Sequence, residues 1–186
     1  MNKKQELGIY IHIPFCAKKC YYCDFVSYPN MKEKQKKYVE ALKKEIESYD
    51  LQNYNITTIY IGGGTPSYIE SKYIVEVLEY IKSKLNANDT KFENMEITIE
   101  VNPGTVKKEK LLDYKKIGIN RLSIGLQSTN DRLLKQIGRI HKYQDFIQTY
   151  NLARNVGFTN INIDLMLGLP NQSIKDLKES IEKVIS

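Results

Sequence analysis

The chain has 186 residues, 41% of them hydrophobic and 27% charged, an ordinary globular composition with enough apolar side chains for one domain with a sizeable core. Lys and Arg outnumber Asp and Glu by 28 to 22, but the excess is spread along the chain, and its densest run, Lys32, Lys34, Lys36 and Lys37, is broken by Glu33. That is the pattern of a solvated helix face, and it argues against a nucleic-acid surface, which needs clustered basic residues interleaved with aromatics.

The apolar stretch at 9–15 is too short for a signal-peptide core or a bilayer span, so no transmembrane segment and a cytoplasmic location are expected. Three cysteines, all between positions 16 and 23, make an odd set with no export signal, which argues against disulfide stapling.

Short β-branched runs alternate with longer stretches of helical periodicity, the signature of βα units around a parallel sheet. The first strand is predicted over 9–13 and leads directly to Cys16, Cys20 and Cys23. Tyr38, Leu42, Ile46 and Tyr49 then recur at helical spacing and are expected in the core. A second strand over 57–61 runs into Gly62, Gly63, Gly64, Thr65 and Pro66, and a helix follows through Ile74, Val77, Leu78, Ile81 and Leu85.

The third strand, 96–100, ends on Glu100 before Asn102 and Pro103; Gly118 marks a helix stop ahead of the fourth, 121–125, which leads to Gln127 and Ser128. Phe146, Tyr150, Ala153 and Val156 form the next helical stripe, stopped by Gly157 before a fifth strand over 160–165 that carries Asp164 and precedes Gly168-Leu169-Pro170. A last amphipathic helix is predicted over 173–186 through Ile174, Leu177, Ile181, Val184 and Ile185. The fold class is therefore α/β, with about five βα units read as one domain over 1–186. Five units do not close an eight-stranded barrel, so the sheet is either open or lacks later strands, and an unpaired edge is expected at the fifth strand.

In parallel α/β architectures ligand sites collect beyond the C-terminal ends of the strands, and each unusual cluster above falls there. Cys16, Cys20 and Cys23, spaced C-x3-C-x2-C, put three thiolates on one compact loop around a single metal centre. A 4Fe-4S cluster held by three would leave one iron open to an exchangeable ligand; zinc is the alternative, with His12 as the nearest candidate fourth ligand. The glycine run lacks the Lys-Ser/Thr ending of a phosphate loop, but lets a ligand approach the main chain and offers N–H groups to a carboxylate. Glu100 can accept from a ribose or an ammonium or simply be solvated, as can Asp164, while Arg139 is either a carboxylate clamp or a surface charge.

These blocks resemble the radical S-adenosylmethionine (SAM) superfamily, and within it the oxygen-independent coproporphyrinogen III dehydrogenases and related haem chaperones. The matching blocks are Tyr10-Ile-His-Ile-Pro-Phe-Cys16, Cys20-Tyr-Tyr-Cys23-Asp24-Phe25, Gly62-Gly-Gly-Thr-Pro66, Glu100-Val-Asn-Pro103, Ile124-Gly-Leu-Gln127, Gly138-Arg-Ile-His141 and Asp164-Leu-Met-Leu-Gly-Leu-Pro170, in the family's order. The resemblance implies a partial radical SAM (β/α) barrel whose Cys16, Cys20 and Cys23 ligate a 4Fe-4S cluster. It places Tyr10 beside the cluster, Gly63, Gly64 and Thr65 at the methionine end of SAM, Glu100 at the ribose, and Gln127, Arg139 and Asp164 at further polar atoms. The chemistry it implies is reductive cleavage of SAM to a 5'-deoxyadenosyl radical, fed by a low-potential donor such as a flavodoxin or ferredoxin.

In the dehydrogenase branch a further cysteine is expected two positions after the third ligand, where this chain has Phe25. The resemblance is therefore closer to a chaperone that binds haem and delivers it to acceptor proteins; an enzyme of porphyrin biosynthesis acting on coproporphyrinogen III is the alternative, so whether the protein is an enzyme stays open at this point. The family also carries a further βα unit and a C-terminal domain, so these residues are expected to be the N-terminal part of a longer protein, with the substrate side and any haem-binding segment outside them.

Overall fold

The computed structural model describes residues 4–85 and 92–185. Strand β1 (Gln5–Ile13) leads into a two-stranded ribbon, β2 (Phe15–Cys16) and β3 (Tyr28–Pro29), then helix α1 (Gln35–Glu47), β4 (Tyr54–Gly63), α2 (Ser71–Lys84), β5 (Glu96–Val101) and α3 (Lys108–Ile117). The chain continues through β6 (Arg121–Gln127), a short α4 (Asp131–Gln136), α5 (Tyr143–Val156), β7 (Asn160–Leu165) and α6 (Ile174–Ile185). The five long strands form one parallel sheet in the order β1-β4-β5-β6-β7, so spatial order follows chain order.

That order has a consequence for layering. Right-handed crossovers that always step in the same direction put every helix on the same side of the sheet. Side chains alternate across a strand, and here Ile59 and Ile61, Ile97 and Ile99, and Leu122 and Ile124 are fully buried toward the helices. The intervening residues, Tyr60, Gly62, Glu100, Ser123, Gly125 and Asp164, form the opposite, polar face. Helices α1, α2, α3 and α5 pack side by side over the aliphatic face. This is a sector of a (β/α) barrel: a doubly wound sheet would carry helices on both faces.

The expected strands are all present, and four are longer than their apolar centres: β1 begins four residues early, β5 runs one residue on to Val101, and β4 and β6 extend into the glycine and glutamine positions of the rim. Gly118 and Gly157 end α3 and α5 in the left-handed conformation, with φ of 107° and 96°. Strand β7 pairs only with β6 among the described residues, which is the expected free edge. Three features differ from expectation. Tyr49 lies beyond the end of α1 and is 60% exposed, outside the core. Helix α4, which no apolar stripe predicts, forms nonetheless; it is started by Asn130, whose side chain accepts from the Arg132 N–H at 3.0 Å. The apolar side of α6 stays largely open, with Ile174 and Ile185 exposed, because polar bonds hold the helix: Asn130 Nδ2 donates to Asp176 Oδ1 at 2.7 Å and the Thr129 N–H to the buried Ser180 Oγ at 3.2 Å.

Candidate cofactor site

The cysteine loop leaves the sheet at the C-terminal end of β1. Its start is fixed by the β2–β3 ribbon, and its middle by the Tyr21 N–H donating to the Ile137 carbonyl at 3.0 Å. Cys16 is buried, Cys20 and Cys23 are partly so, and none is in a disulfide. Burial pushes the Cys16 thiol up, so its thiolate needs a nearby positive charge or metal. Among the described residues no three His, Cys, Asp or Glu side chains converge on a single ion position. A cubane, which gives each thiolate its own iron, asks for less convergence than one zinc does, and a three-thiol loop suits it chemically.

The glycine turn packs directly beneath this loop. Gly64 donates its N–H to the Ile13 carbonyl at 2.9 Å and Thr65 its N–H to the Phe15 carbonyl at 2.8 Å. A Cβ on Gly64 would lie 3.0 Å from Cys16 Sγ and from backbone atoms of the loop, and one on Gly63 would strike the His12 ring at 2.7 Å. Gly63 also has φ of +116° and donates its N–H to Glu100 Oε2 at 3.2 Å. The free N–H groups expected at this turn are therefore already donating; what the glycines supply is close approach.

Two donors face the sulfurs. Thr65 Oγ1 donates to Cys16 Sγ at 3.5 Å, and Arg139 Nη1 to Cys20 Sγ at 3.9 Å. Asn102, just beyond β5, joins them: its Nδ2 donates to Thr65 Oγ1 at 2.9 Å, and its Oδ1 accepts from Arg139 Nη2 at 2.8 Å. Arg139 Nη2 also donates to the Gly125 carbonyl at 2.5 Å, while its Nε is buried without a hydrogen-bond partner.

A second row crosses the polar face of the sheet. Cross-strand register sets Tyr10 beside Tyr60, with their rings stacked 6.2 Å apart, and Glu100 beside Ser123. Tyr60 donates its O–H to Glu100 Oε1 at 3.0 Å; Ser123 donates to Asp164 at 3.2 Å, and Asn162 Nδ2 to Asp164 Oδ1 at 2.6 Å. Burial pushes the Glu100 carboxyl up, with Asp164 adding to it, and burial followed by Glu100 pushes Tyr60 up to about 12. Gln127 ends β6 with φ of +69°, at the register break between Gly125 and Gln127, a backbone state a non-glycine side chain adopts at a cost of about 1–3 kcal/mol.

Cys16, Cys20, Thr65 and Arg139 are thus brought together in one cluster of contacts, Tyr10, Gly63 and Glu100 in an adjoining one, and Asp164 one strand further along. Gln127 is tied to its surroundings through its backbone, its carbonyl accepting from the Met166 N–H at 2.9 Å. Asn102 stood out in sequence only by its place after the third strand, with no role assigned, and two participants were not singled out at all: Tyr60 and Ser123. The signal for the last two was the strict alternation in β4 and β6, which puts them on the same face as Glu100.

The profile of the Radical SAM superfamily matches residues 10–184. The chain belongs to this superfamily. Membership implies a 4Fe-4S cluster and SAM as cofactors and the need for an electron donor. The chain is 43% identical over 181 residues to the heme chaperone HemW of Buchnera aphidicola subsp. Schizaphis graminum, a match covering 95% of this chain and 46% of that protein. It is 40% identical over 191 residues to the heme chaperone HemW of Escherichia coli K12, covering 98% and 49%. Among solved structures, coproporphyrinogen III oxidase (HemN) from Escherichia coli, a radical SAM enzyme, superposes with a TM-score of 0.87 at 29% identity, covering 98% of this chain and 42% of that one. The chain thus spans about half the length of the curated relatives it matches. Among the described residues no helix is long and apolar enough to cross a membrane.

Proposed function

We propose that this chain is the cofactor-binding part of a cytoplasmic radical SAM haem chaperone, in which Cys16, Cys20 and Cys23 hold the cluster and the adjoining polar row binds SAM. The observation that carries the reading is the pair of donors, Thr65 and Arg139, set against two of the three thiols on one loop at the strand ends. When bound, the cluster supplies an electron for cleavage of SAM. The chain's own residues do the rest: Gly63, Gly64 and Thr65 provide close approach for the methionine end, Glu100 accepts from the ribose hydroxyls, and Tyr10 packs beside the cluster. Gln127, Arg139 and Asp164 supply further polar contacts. A low-potential flavodoxin or ferredoxin is the expected donor, and haem-acceptor proteins are the expected recipients.

Phe25 favours the chaperone over the porphyrinogen-oxidising enzyme. It is 68% exposed, so the position offers apolar surface instead of a thiol. Anaerobic reconstitution of the protein with iron and sulfide should give one 4Fe-4S cluster per chain, lost in Cys20→Ala. Stoichiometric zinc retained in its place, with no effect of that substitution, would overturn the cluster assignment. The whole protein should bind haem and should not convert coproporphyrinogen III when given SAM and a strong reductant. Robust turnover of coproporphyrinogen III, abolished in Cys16→Ala, would replace the chaperone reading with the enzyme and leave the family unchanged.

A further inference from the structure

We propose that Asn102 is a positioning residue that sets the reduction potential of the cluster by holding hydrogen-bond donors against two of its thiolates. The proposal rests on Cys16 and Cys20 being cluster ligands. Asn102 touches neither sulfur, and acts through both of the side chains that do.

The amide can sit only one way round. Its Nδ2 donates to Thr65 Oγ1, which uses an acceptor site of the hydroxyl and leaves the Thr65 O–H to point at Cys16 Sγ. Its Oδ1 accepts from Arg139 Nη2, which turns Nη1 of the same guanidinium toward Cys20 Sγ. A flipped amide would set NH₂ against a guanidinium N–H, donor against donor, so the network itself fixes the assignment. The backbone of Asn102 is clamped as well: its N–H donates to Ser67 Oγ at 3.1 Å, and its carbonyl accepts from Thr105 Oγ1 at 2.6 Å and from the Thr105 N–H at 3.1 Å. One side chain thus sets the direction of a neutral donor and of a cationic donor to two sulfurs of the cysteine loop.

Reduction adds negative charge that is partly carried by the thiolates, and donors aimed at those sulfurs stabilise the reduced state more than the oxidised one. Removing Asn102 frees Thr65 to turn its hydroxyl elsewhere and leaves Arg139 Nη2 held by the Gly125 carbonyl alone, so the donors are aimed less firmly at the sulfurs and the cluster becomes harder to reduce. Asn102→Leu keeps the branching at Cγ, with two methyl groups in place of the amide oxygen and nitrogen, and removes both bonds.

The test is made on wild type and Asn102→Leu protein, reconstituted anaerobically with iron and sulfide and titrated without SAM. Iron and sulfide content is measured first; a wild type that takes up no cluster, or keeps it in Cys20→Ala, refutes the ligand assignment separately from the role of Asn102. The reduction midpoint, read by electron paramagnetic resonance at fixed potentials, should move to more negative values in Asn102→Leu. We expect about a tenfold higher oxidised-to-reduced ratio at a given potential, about 59 mV for one electron. Iron–thiolate stretching bands should shift with it, a change that loosened packing with the sulfur bonds intact would not give. Thr65→Val should move the midpoint in the same direction, and adding Asn102→Leu to it should give less than the sum of the two. An unchanged midpoint in Asn102→Leu at full cluster content overturns the proposal. Should that variant fail to load, an unchanged midpoint in Thr65→Val overturns it equally.

Discussion

Glu100 sits where two requirements conflict. In its proposed role as an acceptor for ribose hydroxyls it is most useful ionised, yet burial and the nearby Asp164 both favour its neutral form, which the Tyr60 O–H and the Gly63 N–H only partly offset. A carboxyl whose folded pKa lies above its unfolded value of about 4.3 is most favourable to folding at low pH; that contribution is lost as pH rises through the folded pKa. Glu100→Gln keeps an acceptor for Gly63 and a donor for the Tyr60 oxygen while removing the charge. The ligand-free variant should therefore melt above wild type at pH 7–8, by roughly 2–4 °C per kcal/mol relieved, and the difference should vanish near pH 4. SAM binding should weaken by roughly tenfold, the scale of one charge-assisted hydrogen bond. Equal melting curves at both pH values would show that the carboxyl is not held under strain. Glu100 and Asp164 were legible in sequence as acids at strand ends. The bonds of Asn102 were not, because they join loops after β4, β5 and α4 that only the folded sheet brings together.

At the scale of elements, the connection from α4 to α5 is tied to the sheet through His141. The residue is buried, and its Nε2–H donates to the Leu126 carbonyl of β6 at 3.3 Å, which fixes the neutral tautomer. Burial pushes its pKa down to about 4, helped by Arg139 and opposed by the Leu126 bond, Asp145 and Asp131. A base with a depressed folded pKa contributes stability that is present above its unfolded value, about 6.5, and is lost as pH falls toward the folded one. The protein should lose at most about 3 kcal/mol through this group between pH 6.5 and 4. His141→Gln, which keeps an N–H donor, should flatten that part of the curve in urea titrations; an unaltered slope would exclude His141 as its source.

The elements themselves were legible in proportion to their apolar periodicity. All five strands stood out, and so did α2 and α5, whose stripes are buried. Helix α3 buries only Leu111 and Tyr114, and α4 only Leu133 and Leu134, too few positions to register as a period. The extension of β6 to Gln127 was hidden for a different reason: it runs across a bulge, at a positive φ that no side-chain preference announces.

For the whole molecule, the one-sided layering separates two kinds of surface. The face away from the helices is polar and carries the site, so its exposure is chemically useful. The rims of the sheet differ: β1 and β7 each have one side without a strand neighbour among the described residues, and beside β7 the helix α6 leaves Ile174 at 76% and Ile185 at 78% exposure, with Leu167 at 70% in the loop between them. Free parallel edges and apolar side chains of this size are the features that drive chains together, and the net charge of +6 opposes this only weakly at physiological salt. The 186-residue chain, studied by itself, should therefore self-associate. Sedimentation velocity should show species larger than the monomer whose proportion grows with concentration, and Ile174→Lys combined with Ile185→Lys should shift the distribution toward monomer without changing the far-ultraviolet circular dichroism. Both positions lie on a helix surface with no buried partner to lose, so the substitutions cost the fold little. A monomer at every concentration would mean that these edges are too polar or too short to pair. Association unaffected by the two lysines would place the contact on the strand edges and leave the α6 face out of it.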